Sequence, residues 1–352
     1  MLSMLDYIYK ESEINQKIIN HPSLIPNSIY EGKNYRDVVI FATGSSSNAA
    51  HSAKHLMQDI LSLPVYIKEP SLSINYEENW NSDTLYLAIS QGGSSASMIH
   101  IVEYLQKRNI NVYAITSNLE SPFAKKAMNV MELGMEIETM PYVTAGYSAT
   151  IVFLWLLSIE LAKNSQIISA NQANSYTDAI NRVISKIDHI IERTQEWYNT
   201  HKAEFIGKNR FVFIGYGATF GSALEAATKF TEILHAPAQG YELEEYMHGP
   251  YLGLGKGDLL FLIDSKGKLS QRSLLLRKFL DRHMDKTYVV TLNETPYQEQ
   301  DLSFGIDIPE HMSSLLLTIP FHIMSYHLSQ EMGINLNVSY YPEFDDITKS
   351  KI

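Results

Sequence analysis

The chain has 352 residues, 45% of them hydrophobic and 19% charged, a globular balance with length enough for two domains that each bury a core. A formal net charge of −11 and a pI near 5.5 argue against broad attraction to nucleic acid or anionic lipid, so an anionic ligand must be held by a local arrangement. Cysteine is absent, which removes disulfides, thiolate metal sites and thiol nucleophiles.

The N-terminal stretch MLSMLDYIYKESEINQKIIN has early acids and spaced apolar residues, the pattern of a helix and not of a secretory signal. Strand candidates follow at VVIFA (38–42), PVYI (64–67), TLYLAIS (84–90), NVYAIT (111–116) and NVMEL (129–133), with helical patterns over 48–61 and 95–107. Continuous apolar strands separated by helices of crossover length predict a mainly parallel sheet covered on both faces. The most apolar run, IVFLWLL at 151–157, reaches Glu160 well before the roughly 20 residues a bilayer needs. A cytoplasmic protein with no membrane partner is expected.

Over 168–204 the rhythm changes: Ile180, Val183, Ile184, Ile187, Ile190 and Ile191 recur at helical spacing, predicting one long amphipathic connecting helix. The alternation then resumes with RFVFIG (210–215), a helix over 219–234, DLLFLID (258–264), a helix over 274–283, TYVVTL (287–292) and a helix over 316–330. VVIFATGSSSNAAHSAKHL and FVFIGYGATFGSALEAATKF share a strand, a glycine turn and a small-residue helix start, so the chain reads as two α/β halves of similar plan. The expected division is an N-terminal helix (1–24), a first domain (25–165), a connecting helix (166–207), a second domain (208–335) and a tail (336–352).

Two strands run straight into hydroxyls and glycines: FATGSSSNAA at 41–50 and ISQGGSSAS at 89–97. In an open parallel sheet ligands bind beyond the carboxyl ends of the strands. Helix N-termini there offer unpaired N–H groups, glycine admits close approach, and hydroxyls add donors, so a phosphate fits without net positive charge. Helix capping by the serines is the competing explanation. No G-x-x-x-x-G-K-[ST] occurs, which argues against a P-loop. The GYGATFG turn at 215–221 weakly resembles a dinucleotide fingerprint and is discounted as one.

In ALEAATKFTEIL, Glu225, Lys229 and Glu232 stand at i, i+4 and i+7 on one helical face. GYELEEYMHGP places His248 after Glu244 and Glu245, before a Gly-Pro turn. Each feature alone also fits a solvated face or a structural histidine. Together they suit proton work: a carboxylate acting on a carbon beside a carbonyl, a lysine keeping it ionised, and a histidine for a ring oxygen. Neither an H-x-x-x-H nor an H-E-x-x-H pair is expected, and neither a metal nor a cofactor is expected.

These motifs, TGSSS, SQGGS, GYGATFGSALEAATKFTEI and EYMHGP, resemble the SIS (sugar isomerase) domain family, in particular the isomerase half of glucosamine-6-phosphate synthase, from about residue 25 to the C-terminus. The resemblance implies two tandem doubly wound, flavodoxin-like SIS domains with an ordered C-terminal tail. It implies that Gly44, Ser45, Ser46, Ser90, Gln91, Gly93 and Ser95 hold a sugar phosphate. Glu232 would move a proton between C1 and C2, supported by Lys229 and Glu225. His248 would open the ring from the neighbouring subunit, which makes a homodimer with shared active sites the expected assembly. Lys349, or Lys351, matches the family's imine-forming lysine. Gly92 replaces a serine of the family's S-Q-S-G-E-T, Ser94 and Ser95 stand for its Glu and Thr, and IETMPYVTAGYS at 137–148 replaces a V-A-S-T-K loop. The synthase draws ammonia from glutamine with an N-terminal cysteine domain, for which this chain has neither cysteine nor room. The expected activity is therefore isomerisation of an amine-bearing 6-phosphosugar with release of the amine, as in a deglycase or aminosugar-phosphate deaminase. The alternatives are a simple aldose–ketose isomerase or a non-catalytic sugar-phosphate sensor.

Overall fold

The computed structural model describes residues 2–77, 79–208 and 210–352. They form two compact units, neither continuous in sequence: Glu13–Arg182 with Val338–Ile352, and Leu2–Ser12 with Val183–Asn337.

The first part of the chain runs α1 (Met4–Ile19), β1 (Asp37–Phe41), α2 (Gly44–Leu61), β2 (Val65–Lys68), α3 (Pro70–Tyr76), β3 (Thr84–Ile89), α4 (Ala96–Gln106), β4 (Val112–Thr116), α5 (Pro122–Lys126), β5 (Asn129–Glu132), α6 (Ala145–Asn164) and α7 (Ala170–Ile184). Its five strands are parallel in the order β2-β1-β3-β4-β5. Every residue of β3 and β4 is buried, which is why these strands read as unbroken apolar runs. Val39, Phe41, Tyr86 and Ala88 pack with Met98, Ile101 and Val102 of α4, each large side chain contributing roughly 1.5–3 kcal/mol by leaving water. Helix α6 is long and apolar enough to cross a membrane, but 94% of its most apolar window is buried inside the fold. It is a core helix, packed against α2.

The chain continues through α8 (Ile187–His201), β6 (Arg210–Gly215), α9 (Ala218–Leu234), β7 (Ala238–Glu242), α10 (Leu243–Met247), β8 (Asp258–Asp264), α11 (Ser270–Leu280), β9 (Thr287–Thr291), β10 (Leu302–Ser303), α12 (Ser314–Leu317), α13 (Ile319–Glu331) and α14 (Phe344–Thr348). The second sheet is again parallel, in the order β10-β9-β8-β6-β7. Counted from its own first strand this is the same 2-1-3-4-5 winding, the flavodoxin-like plan. Phe213 and Phe261 of the sheet clasp Phe321 of α13 at ring-centroid distances of 5.1 and 5.5 Å, fixing that helix over α9.

The expected connecting helix is in fact two, α7 and α8. Ser185 and Lys186 interrupt it, with the Lys186 N–H turning back to the Val183 carbonyl. The apolar face survives the break: Ile180, Val183, Ile184, Ile187, Ile190 and Ile191 are all buried. A break of two residues leaves the periodicity intact, so apolar spacing alone does not reveal it.

Candidate active site

In a 2-1-3-4-5 sheet the strand order reverses between the first and third strands, and the loops leaving those two strands open a crevice. In the first unit these are the two hydroxyl loops. Phe41 of β1 pairs with Ala88 of β3, so both chains leave the sheet at the same edge and enter α2 and α4. Gly44 has φ +55°, and a side chain there would meet nothing within 4 Å; nor would one at Gly92. Glycine at 44 suits that backbone angle, and Ser45 and Ser46 in the first turn of α2 are half-buried.

The second loop is tied down from behind. Gly93 has φ +73°, and a Cβ there would fall 2.1 Å from Ser121 Oγ. The Phe123 N–H donates to the Gly93 carbonyl at 3.1 Å, and the Ser117 N–H and Thr116 hydroxyl donate to the Gln91 carbonyl at 2.9 and 3.1 Å. Ser90 and Gln91 are buried, and the Gln91 Nε2 has no hydrogen-bond partner among the described residues. Ser95 is the residue preceding α4, yet its hydroxyl makes no capping bond and lies 3.2 Å from that of Ser97. Capping therefore does not account for this serine.

The C-terminal tail belongs to this unit. Ser95 and Lys351 form an antiparallel bridge; the Ala96 N–H donates to the Ser350 carbonyl at 3.0 Å and the Ile352 N–H to the Ser94 carbonyl at 2.9 Å. Lys351 pairs with Asp345 at 2.9 Å, and hydrogen bonds from Ser350 and Lys351 hold that carboxyl below its ordinary range. Lys349 ends α14 in the left-handed region with φ +56° and is exposed. The 137–148 segment is organised by Glu138, which is buried and accepts from the Thr144 N–H, the Thr144 hydroxyl and the Gly146 N–H, each at 2.9 Å, at the start of α6. A Cβ on Gly146 would approach Gln91 Cγ to 3.2 Å, so this segment abuts the 89–97 loop.

The acid and base candidates lie in the second unit. Glu225 and Lys229 have side chains 0% and 1% exposed, whereas Glu232 is 43% exposed. The Lys229 ammonium stands 2.9 Å from Glu232 and 3.5 Å from Glu225. A buried ammonium is tolerated only when paired, and losing a partner typically costs roughly 3–5 kcal/mol. The expected single face thus resolves into two buried charges and one carboxylate at the surface. His248 stands apart from this cluster: it ends α10, is exposed, and its Nδ1 lies 2.7 Å from the Glu244 carbonyl. That contact requires a proton on Nδ1 and leaves Nε2 for proton exchange. Arg272 holds the Glu244 side chain through two bonds of 2.7 and 3.1 Å.

Two residues absent from the expectations join the cluster. His322 of α13 has Nε2 3.5 Å from Glu225 and Nδ1 3.8 Å from Glu11 of α1, and both His322 and Glu11 are buried. The expectation that no H-x-x-x-H pair occurs is wrong: His51 and His55 have that spacing on α2, although no group of three possible metal ligands occurs among the described residues.

The second unit has its own strand-order reversal, between β6 and β8, and it is filled. Tyr216 and Tyr297 donate to the two oxygens of Asp264 at the end of β8, and Ser270 and Thr291 reach the same carboxylate. A carboxylate in that crevice repels an anion, so the repeat keeps a phosphate-suited crevice only in its first half.

Comparison with known proteins agrees with this geometry. The SIS domain model matches residues 33–159 and 204–332. The chain belongs to the SIS domain family. Among curated relatives, glutamine–fructose-6-phosphate aminotransferase (isomerizing) of Gloeobacter violaceus is 24% identical over 304 residues, covering 85% of this chain and 50% of that protein. This SIS protein spans about half the length of the curated relatives it matches. Among solved structures, a Clostridium difficile 630 protein described as a phosphosugar isomerase superposes with a TM-score of 0.89 at 21% identity, covering 100% of this chain and 99% of that one. Glucosamine-6-phosphate deaminase of Thermotoga maritima superposes with a TM-score of 0.75 at 21% identity, covering 96% and 97%.

Proposed function

We propose that this SIS protein is a phosphosugar enzyme that isomerises a 6-phosphosugar carrying an amine and releases the amine. The observation that carries the reading is the pairing of a single surface carboxylate, Glu232, with a buried ammonium, Lys229, at 2.9 Å. Such a pair delivers and receives one proton at a fixed point. The crevice between β1 and β3 supports a phosphate anchor, through Gly44, Ser45, Ser46, Ser90, Gln91, Gly93 and Ser95. The likeness to an isomerizing aminotransferase and to an aminosugar-phosphate deaminase supports chemistry at C1 and C2 of a hexose phosphate.

For a ketosamine 6-phosphate, Glu232 removes a proton from C1; the C1–H electrons form the C1–C2 double bond while the C2 carbonyl π pair moves to its oxygen, which takes a proton to give an eneaminol. Return of a proton to C2 with loss of the N–H proton gives the C1 imine, and water adds to C1. Breaking the C–N bond then yields the free amine and the aldose 6-phosphate. His248 serves ring opening through Nε2, supplied by the partner of a homodimer. Lys349 is the tail lysine better placed to meet a carbonyl, because Lys351 is engaged by Asp345. A mass-spectrometric screen of ketosamine and aminosugar 6-phosphates tests the reading. Equimolar amine and hexose phosphate should appear from at least one of them; turnover of none rejects it.

A further inference from the structure

The cluster behind Glu232 is a line of ionisable groups. Read from the interior outward it runs Glu11, His322, Glu225, Lys229, Glu232, with separations of 3.8, 3.5, 3.5 and 2.9 Å. The first four side chains are at most 1% exposed, and only the last reaches the surface. Glu225 sits at 3.5 Å from both the Lys229 ammonium and the His322 ring, while Lys229 stands closer to Glu232 than to Glu225. A lysine offered a fully buried carboxylate and a half-exposed one should favour the buried one, where the field is less screened. Its preference for Glu232 needs a competitor for Glu225.

We propose that His322 is that competitor: as an imidazolium between Glu11 and Glu225, it neutralises Glu225 from behind and so releases Lys229 to orient Glu232, which makes His322 a positioning residue for the proton-transfer carboxylate. The inference rests on the reading of Glu232 given above. Geometry holds the histidine in place: Phe321 beside it is clasped by Phe213 and Phe261, and Thr318, preceding α13, donates to Ser222 of α9 at 2.8 Å. Burial opposes the charged ring, but the carboxylates of Glu11 and Glu225 outweigh it and raise its pKa. The ionisable groups that face it include Glu11 from α1 and Glu225 from α9. Helix α12 carries no ionisable side chain, and from α8 Tyr198 stacks on His327, one turn further along α13.

The test combines two structural readouts with a suppressor. In ¹⁵N-histidine-labelled wild type, His322, assigned by its loss in His322→Gln, should show both ring nitrogens protonated at neutral pH; a neutral tautomer overturns the proposal. In a crystal structure of His322→Gln, the Lys229 ammonium should leave Glu232 and close on Glu225; an unchanged Lys229–Glu232 contact overturns it. In turnover, His322→Gln should lower kcat about tenfold or more with KM within about twofold, and the double variant Glu225→Gln/His322→Gln should recover about threefold or more over His322→Gln. A purely structural histidine predicts no recovery, and that result overturns the proposal. If no phosphosugar is turned over, the functional reading fails while the ring protonation and the lysine position still decide this one. If His322→Gln does not fold, the wild-type ring signal, assigned by elimination against the remaining histidines, decides it.

Discussion

At the scale of single residues, Gly93 stands among the groups proposed to bind phosphate. Its φ of +73° and the Ser121 hydroxyl 2.1 Å from any added Cβ mean that Gly93→Ala must move the backbone between Ser90 and Ser95. Strain of this sort costs on the order of 1–3 kcal/mol. The expected outcome is a lower melting temperature and weaker binding of hexose 6-phosphates, measured by calorimetry. Of the acid and base candidates, the spacing of Glu225, Lys229 and Glu232 is visible in the sequence, because i, i+4 and i+7 share a helical face whatever the tertiary structure. Their unequal burial is not visible, since it depends on what α13 and α1 lay against that face. Glu11 and His322 could not be paired from sequence spacing, because they meet only through the fold. The one local sign is a histidine inside the apolar run of α13, IPFHIM.

At the scale of elements, the parallel strands were readable because burial on both faces makes them continuous apolar runs, as in β3, β4 and β8. Where a break spares the apolar period, as between α7 and α8, the sequence is silent. The tail was equally opaque: its residues carry no periodicity, and its contact with the 89–97 loop is made by the backbone of Ser94, Ala96, Ser350 and Ile352, which any sequence can supply. One element junction carries a pH signature. Glu204, just after α8, meets Lys286, Tyr288 of β9 and His201. Burial would raise its pKa, but hydrogen bonds from Lys286, Tyr288 and His201 bring it down to about 2. A depressed carboxylate contributes stability above its unfolded value of 4.5 that is lost as pH falls towards 2. Glu204→Gln should therefore lower the melting temperature at neutral pH, and its gap from wild type should close across that acid window in thermal scans against pH.

At the scale of the whole molecule, a repeated α/β unit has been specialised by local chemistry. One strand-order crevice keeps glycines and hydroxyls, and the other is filled by Asp264 with Tyr216 and Tyr297. His248, exposed and outside the charge line, fits a role in a partner's site, and a mixing experiment checks this. Glu232→Gln and His248→Ala, each inactive alone, should together regain roughly a quarter of wild-type activity, because half the dimers would be mixed and each would hold one intact site. No recovery would place His248 in its own subunit's site or outside catalysis. The central claim is that Glu232 moves a proton at C1 or C2 of a bound sugar phosphate. It is tested most directly by incubating hexose 6-phosphates and their amine derivatives with the protein in deuterated water and following C1 and C2 by NMR. Deuterium should enter at one of these carbons with wild type and not with Glu232→Gln; binding without exchange, or exchange indifferent to that substitution, would contradict the account.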